Sequence, residues 1–477
     1  MRFNVEEKYK ILFAVLIGSI MGPLDGSAVN VAMPTLSTFF NAGMTTVSWV
    51  SMAYLLVLSG LLLTYGRLGD VIGYKKLFLR GILVFTAASA LCGLSPFIGF
   101  LILARALQAA GAGMMMAVAP AIITTTFPRR ERGKALGFNA VAVATGMSIG
   151  PSVGGFLLNA LGWRSIFLIN IPIGIGGYLW AKKVLPAGQS LKHAKFDVPG
   201  AVLGLSFLTA LLLYISKGQE LSWSSLYARS LVVISLVSLA AFVMHEKRAE
   251  DPMLDLKLFS NRTFTAGNLS CLLNFTAQYI MVFLTPFYLD RAGFSPSQVG
   301  GIMTAFPLTV LFVAPLSGML SDRLGSLLLS TMGAFTCAAA LFLMGGLGLD
   351  SGTPDVVWRL MLFGIGNGLF QTPNNSSVMG SAPMNRQGVA SGVLATMRNV
   401  GMVVGVAVAS GFFSARNSYY MTILPYSGQA LLDAAFIRAL RDAYFLAAFI
   451  DLLCMLASSV RGKSTYSDEN RKTEKSR

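Results

Sequence analysis

Charge is what this sequence has least of. Asp, Glu, Lys and Arg make up 12% of its 477 residues, against roughly 25% in soluble domains. Hydrophobic residues reach 54% and the mean hydropathy is +0.65, which excludes an ordinary water-soluble enzyme and a disordered chain. Histidine is nearly missing: His193 and His245 are the only two, both at polar boundaries. Cysteine is scarce as well. Cys92, Cys271, Cys337 and Cys454 lie inside apolar runs with no C-x-x-C pair, so neither a disulfide framework nor a metal site is expected. No G-x-x-x-x-G-K-[ST] phosphate loop occurs, which excludes direct drive by ATP. No H-E-x-x-H, serine elbow or Cys/His cluster points to an enzyme, and no cofactor is expected. The first apolar run carries an aspartate and lacks a cleavage site, so it does not read as a cleavable signal.

What the chain has is apolar runs, with 49 Gly and 18 Pro among them. Membrane helices tolerate both residues, and Gly lets helix backbones approach closely. Polar punctuation divides the runs into segments at 11–36, 47–66, 77–95, 98–124, 135–158 and 165–182, a pair at 197–216 and 229–245, and six more at 263–287, 298–320, 328–349, 357–380, 388–413 and 440–460. That count predicts an all-α membrane protein with 14 spans. The formal net charge of +16 would suggest nucleic acid in a soluble protein. Here it fits basic residues gathered in loops on one side of a membrane. With the N-terminus inside, 27 of the 37 Lys and Arg fall on the cytoplasmic side, 8 outside, and Arg105 and Arg398 within spans. Both termini are therefore placed in the cytoplasm.

Gly66, Leu68, Asp70 and Gly73 spell G-x-L-x-D-x-x-G, and Gly318, Leu320, Asp322 and Gly325 repeat it at an offset of 252 residues. Each copy follows the second helix of a six-helix block, so the chain reads as two halves around a pair of inserted helices. Parallel halves around a central site are a transporter plan. The boundaries are 1–196 for an N-terminal six-helix bundle, 197–262 for the inserted helices and a cytoplasmic linker, 263–460 for a C-terminal six-helix bundle, and 461–477 for a basic cytoplasmic tail.

The same residues carry a resemblance that extends over essentially the whole chain. The loop GRLGDVIGYKK resembles the signature that the major facilitator superfamily carries after its second helix. LDGSAVNVAMP (24–34), ARALQAAGAG (104–113), GMSIGPSVGG (146–155) and WRSIFLINIPIG (163–174) resemble, in this order, motifs of its fourteen-helix drug:proton antiporter branch. The resemblance implies the major facilitator fold and a cytoplasmic gate at Gly66, Asp70, Gly73, Lys75, Lys76 and Asp322. The family's basic residues after the Asp and after the second Gly are here Val71 and Tyr74, so the gate's basic side shifts to Lys75, Lys76 or Arg130. It also implies an antiporter-motif face at Gly146, Gly150, Pro151, Gly154 and Gly155 that controls opening and leakage. The i+4 spacing of Gly146, Gly150 and Gly154 by itself reads as close helix packing.

Only two of the 21 acids, Asp25 and Asp451, fall near the middle of a span. An ionisable group at that depth is a functional hypothesis by default. The helical rise puts Asp25 and Arg105 at nearly one level in the first half, ~8–10 Å from the outer edge. Arg398 and Asp451 both fall ~15 Å deep in the second. A carboxyl balanced between burial and a cation can load and release a proton, so Asp25, Arg105, Asp451 and Arg398 are the proton-coupling candidates. For Asp451, carrying a proton and merely neutralising Arg398 both stay open. Asn367, Gln371 and Asn374 recur at i, i+4 and i+7, and Asn274 and Gln278 at i and i+4. With Asn30 they are expected to line a substrate cavity, the alternative being bonds between neighbouring helices.

The expected function is proton-coupled secondary transport, exporting drugs or other small amphipathic or cationic compounds by alternating access. A dedicated metabolite or vitamin carrier of the same fold is the second reading. A non-transporting membrane sensor is the third, disfavoured because the intramembrane charges remain and the tail is a short basic stub. The expected setting is a bacterial cytoplasmic (inner) membrane. Lipid, protons and a small-molecule substrate are the expected partners, without nucleic acid, and the protein is expected to work as a monomer.

Overall fold

A computed structural model describes residues 5–128, 130–186, 198–217, 225–248, 256–383 and 386–460. The side chains of Arg67, Asp70 and Asp322 also lie outside the described residues, as does the tail 461–477. The first half holds α1 (Val5–Phe39), α2 (Met44–Ile72), α3 (Tyr74–Gly93), α4 (Ile98–Thr126), α5 (Arg132–Leu161), α6 (Arg164–Leu168) and α7 (Asn170–Val184). Next come α8 (Val198–Lys217), α9 (Leu226–Arg248) and a 3-10 turn at Leu256–Ser260. The second half holds α10 (Arg262–Arg291), α11 (Pro296–Leu324), α12 (Ser326–Met344), α13 (Thr353–Gly380), α14 (Gln387–Ile423) and α15 (Gly428–Ser459). No strand occurs among the described residues.

Among the described residues, ten helices are long and apolar enough to cross a membrane, fewer than the fourteen segments read from the sequence. The shortfall has physical causes. The sixth segment is broken into α6 and α7 at Ile169; Pro172 has no N–H for the Leu168 carbonyl, which removes the bond that would carry the helix through. α13 is diluted by Asn367, Gln371, Asn374 and Asn375, and α15 carries Asp433, Arg438, Arg441 and Asp442 in its first half and Asp451 in its second. α8 has only Val202–Leu211 as a continuous apolar stretch among described positions. On α9, Val233, Ile234, Leu236 and Val237 are 48–61% exposed. Neighbouring apolar positions turned outward like this suit lipid rather than water.

The chain divides into two compact units, Met1–Leu208 with Leu289–Thr304 and Thr209–Tyr288 with Ala305–Arg477. In the first, α1 packs on α5 through the predicted glycine face. A Cβ added at Gly146 would lie 2.9 Å from the Ile20 carbonyl, and one at Gly154 2.7 Å from Ala28 Cα. The Ser27 hydroxyl, which a side chain at Gly150 would strike, donates to the Pro23 carbonyl at 2.8 Å. In the same unit Gly155 and Pro151 lie against Gly300 at the start of α11.

The 252-residue repeat is visible in the backbone of each unit separately. Gly73 separates α2 from α3 at φ +93°, and Gly325 separates α11 from α12 at φ +87°. Both conformations favour glycine. Eight residues on, Gly81 and Gly333 also share the offset. A Cβ at Gly81 would lie 2.9 Å from the Gly111 carbonyl of α4, and one at Gly333 2.6 Å from the Gly366 carbonyl of α13.

These contacts predict that Gly81→Ala and Gly333→Ala each overpack a helix crossing and destabilise the protein by ~1–3 kcal/mol. Gly137→Ala, with open space around it, should be neutral or slightly stabilising, because Ala favours helix. Thermal unfolding in detergent separates the two groups.

Candidate functional site

Asp25 sits midway along α1, 0% exposed, where the bilayer gives a carboxylate no water. The surrounding helices supply what water would. Arg105 of α4 forms an ion pair with Asp25 through Nη1 to Oδ2. Gln108, one turn further along α4, donates from Nε2 to Asp25 Oδ1 at 3.1 Å. Asn170, the first residue of α7, donates from Nδ2 to the same oxygen at 2.7 Å. Three donors from two other helices thus converge on one carboxylate.

Arg105 is held just as closely. It is 1% exposed. Its Nε donates to the Val50 carbonyl of α2 at 3.2 Å, and Nη1 also donates to Gln108 Oε1. Its guanidinium carbon lies 4.2 Å from the centre of the Tyr54 ring on α2 and 5.8 Å from that of Phe167 on α6. Planar guanidinium faces suit aromatic stacking, and the fork satisfies several acceptors at once. Gln108 completes the cluster by donating to Ser89 Oγ of α3 at 2.8 Å. Asp25 and Arg105 were brought together by depth alone in the sequence reading, and the structure pairs them. Gln108, Asn170, Ser89 and Tyr54 were missed. Gln108 had a usable signal: an amide three residues from a buried arginine shares its helix face.

The second unit is built differently. Asp451 of α15 is also 0% exposed, yet its neighbour is a neutral amide: Asn274 Nδ2 of α10 donates to Oδ1 at 3.1 Å. Its Oδ2 is buried without a partner. Among the described residues no ion pair joins Asp451 to Arg398, which counts against the alternative in which Asp451 merely neutralises Arg398. Helical rise fixes depth but not direction. Arg398 on α14 acts electrostatically on Tyr279 of α10, whereas Asp451 faces Asn274 and Cys337.

The amide rows meet one another. Asn367 Nδ2 of α13 donates to Asn274 Oδ1 and to Gln278 Oε1, each at 3.1 Å. Gln371 Nε2 donates to Asn367 Oδ1, and Asn374 Nδ2 to the Gly267 carbonyl at 3.2 Å. Asn274, Gln278, Asn367 and Asn374 are buried and Gln371 is half-buried. In this arrangement the row joins α10, α13 and α15, with Gln371 at its accessible end. Asn30 of α1 is buried too, accepting from Ser51 Oγ of α2 at 3.1 Å.

Of the residues expected to form a gate, Gly66 has open space and Lys76 is exposed. Lys75 is engaged: its Nζ donates to the Leu185 carbonyl at 2.5 Å, a cationic cap on the end of α7. The Asp70 and Asp322 side chains, as noted, are not among the described ones. On the same side Lys8 of α1 pairs with Glu131 at 2.5 Å.

The Major Facilitator Superfamily profile matches residues 15–406. The chain is 35% identical over 448 residues to the riboflavin transporter RibZ of Clostridioides difficile (strain 630), covering 94% of this chain and 96% of that protein. It is 30% identical over 424 residues to the multidrug resistance protein Stp of Mycobacterium tuberculosis (strain CDC 1551 / Oshkosh), covering 88% and 78%. Among solved structures it resembles a bacterial homolog of the human lysosomal transporter Spinster, in an inward-facing, occupied conformation. That match has a TM-score of 0.70 at 14% identity, covering 98% of this chain and 99% of that one.

Two outcomes follow from the contrast between the units. Arg105→Ala leaves the Asp25 carboxylate buried without its cation and should cost ~3–5 kcal/mol of stability. Arg105→Lys should recover only part of that, because an ammonium lacks the planar fork. By contrast, Asp451→Asn and Arg398→Gln should have additive effects, within ~0.5 kcal/mol in a double-mutant cycle. Unfolding midpoints in detergent of these four variants and of the Asp451→Asn/Arg398→Gln double variant check both; a coupling well above that would mean the two side chains interact.

Proposed function

This chain belongs to the Major Facilitator Superfamily, a family of multi-pass membrane transporters, and from that membership we propose that it is a proton-coupled secondary transporter. It exports small amphipathic or cationic compounds by alternating access, from a bacterial inner membrane. Fourteen spans, with both termini cytoplasmic, are part of the proposal, as is function as a monomer without a cofactor. The observation that carries it is the Asp25–Arg105 pair, fully buried in the middle of the first unit. A single carboxylate held by one cation and two amides can exist ionised, through its partners, or neutral, through its burial. A group poised in this way can exchange one proton per cycle. Likeness to the multidrug resistance protein Stp supports export of drugs.

A second reading is favoured by the amide row of α10 and α13. A run of carboxamides ending at the half-buried Gln371 suits a neutral polar heterocycle better than a greasy cation. The likeness to the riboflavin transporter RibZ points the same way, toward a dedicated carrier of a vitamin-like compound.

Proteoliposomes with an imposed pH gradient test both readings, with ethidium and riboflavin as parallel probes. The expected outcome is pH-gradient-driven ethidium transport in the wild type that collapses in Asp25→Asn, while gradient-independent exchange survives. Riboflavin transport without ethidium transport would select the second reading. Full proton coupling in Asp25→Asn would remove Asp25 as the proton site.

A further inference from the structure

Asn170 is bonded at one end only. Its Nδ2 donates to Asp25 Oδ1 at 2.7 Å. Its Oδ1 is buried without a hydrogen-bond partner, in a residue 1% exposed. A buried acceptor left unpaired is costly, and such an orphan in a polar cluster calls for an explanation. The cluster's other amide has none: Gln108 Nε2 bonds Asp25 and Ser89, and its Oε1 accepts from Arg105.

The orphan gives Asn170 two nearly equivalent settings. A half-turn of the amide exchanges its donor for its acceptor and trades one unpartnered end for the other, with no net loss of hydrogen bonds. The choice is left to Asp25. An ionised carboxylate accepts only, so it holds Nδ2. A protonated Oδ1 is a donor and needs an acceptor, and the Oδ1 of Asn170 is carried on the same amide. The charged and titratable groups facing this pair are Arg105 from α4, Tyr54 from α2 and Cys92 from α3. Arg164 of α6 is turned away, over Phe39 and Trp163. Among the described residues α1, α5 and α7 add none beside the carboxyl.

The position of Asn170 lets its setting be felt elsewhere. It opens α7 directly after the break at Ile169, where Pro172 has removed a backbone bond. Interrupted helices of this kind mark coupling sites in transporters. Beyond the break α7 lies against α1 and α3: a Cβ at Gly177 would sit 3.0 Å from Ile17, and one at Gly174 would strike Thr86. Its far end is capped by Lys75.

We propose that Asn170 is a positioning residue that senses whether Asp25 is protonated and transmits that state, through the turn of its amide, to the α6–α7 break, while the proton itself is exchanged with water. This rests on the reading of Asp25 as the proton site. When Asp25 takes one proton from water onto Oδ1, its O–H opposes the Nδ2–H of Asn170. The amide turns, and its Oδ1 accepts from the acid. Return of the proton to water reverses the turn. No bond other than the O–H forms or breaks.

Infrared difference spectroscopy of the purified full-length protein during a pH titration tests this without needing a substrate. The Asp25 carboxyl band is assigned by its loss in Asp25→Asn. In Asn170→Leu both forms lose a hydrogen bond, and the one lost by the ionised carboxylate is the stronger, so the midpoint of that band should rise by up to about one pH unit. The band of the acid form should also move to the frequency of an unbonded carboxylic acid. Asn170→Ser, too short to reach, should behave alike and serves if the leucine variant does not fold. An unchanged midpoint and frequency in either folded variant overturns the inference and leaves Asp25 as the proton site. If Asp25→Asn removes no titrating band, the proton-site reading fails, and the inference fails with it.

Discussion

A charge in the middle of a membrane must bring its own solvent, and the first unit is organised around that requirement. Asp25 is solvated by Arg105, Gln108 and Asn170; Arg105 in turn is solvated by Val50, Tyr54 and Gln108. Each of these groups sits on a helix that must be in place for the others to be satisfied. The cluster therefore fixes how α1, α2, α3, α4 and α7 are rotated about their axes, which apolar contact alone leaves loosely specified in lipid. The glycine face between α1 and α5 does complementary work. It sets how near two helices come, while the polar cluster sets which way they face.

The second unit meets the same constraint without an ion pair at its buried acid, among the described residues. Asp451 has one amide for company, and the remaining amides bond one another across α10 and α13. A neutral network of this kind costs less to bury than an ion pair and is more easily rearranged. The two units share a scaffold, seen in Gly73 with Gly325 and Gly81 with Gly333, but not the chemistry placed on it.

How much of this was legible beforehand follows from what each signal measures. Charges within apolar runs are conspicuous, and counting residues places them in depth, so Asp25 and Arg105 could be matched. The same count set Asp451 and Arg398 at one level but left their pairing open, because depth carries no information about azimuth on helices of unknown rotation. Asn170 and Gln108 were hidden among apolar neighbours, where an amide bound to a carboxylate looks like an amide bridging two helices. The break at Ile169 was equally hidden, since many prolines here, such as Pro23 and Pro151, lie inside unbroken helices. Helices α13 and α15 were recognisable as segments, although both carry polar residues, Asn367, Gln371, Asn374 and Asn375 on one and Asp442 and Asp451 on the other.

The order in which these groups are made has a consequence for biogenesis. Asp25 precedes Arg105 by 80 residues and Asn170 by 145. At a synthesis rate of about 5–20 residues per second, the acid waits roughly 4–16 s for its cation and roughly 7–29 s for its last amide. Throughout that interval the first helix carries an unpaired ionisable group that lipid tolerates poorly. Until the fourth helix emerges, the cost of carrying that group falls on whatever surrounds the nascent first helix rather than on a partner of its own chain.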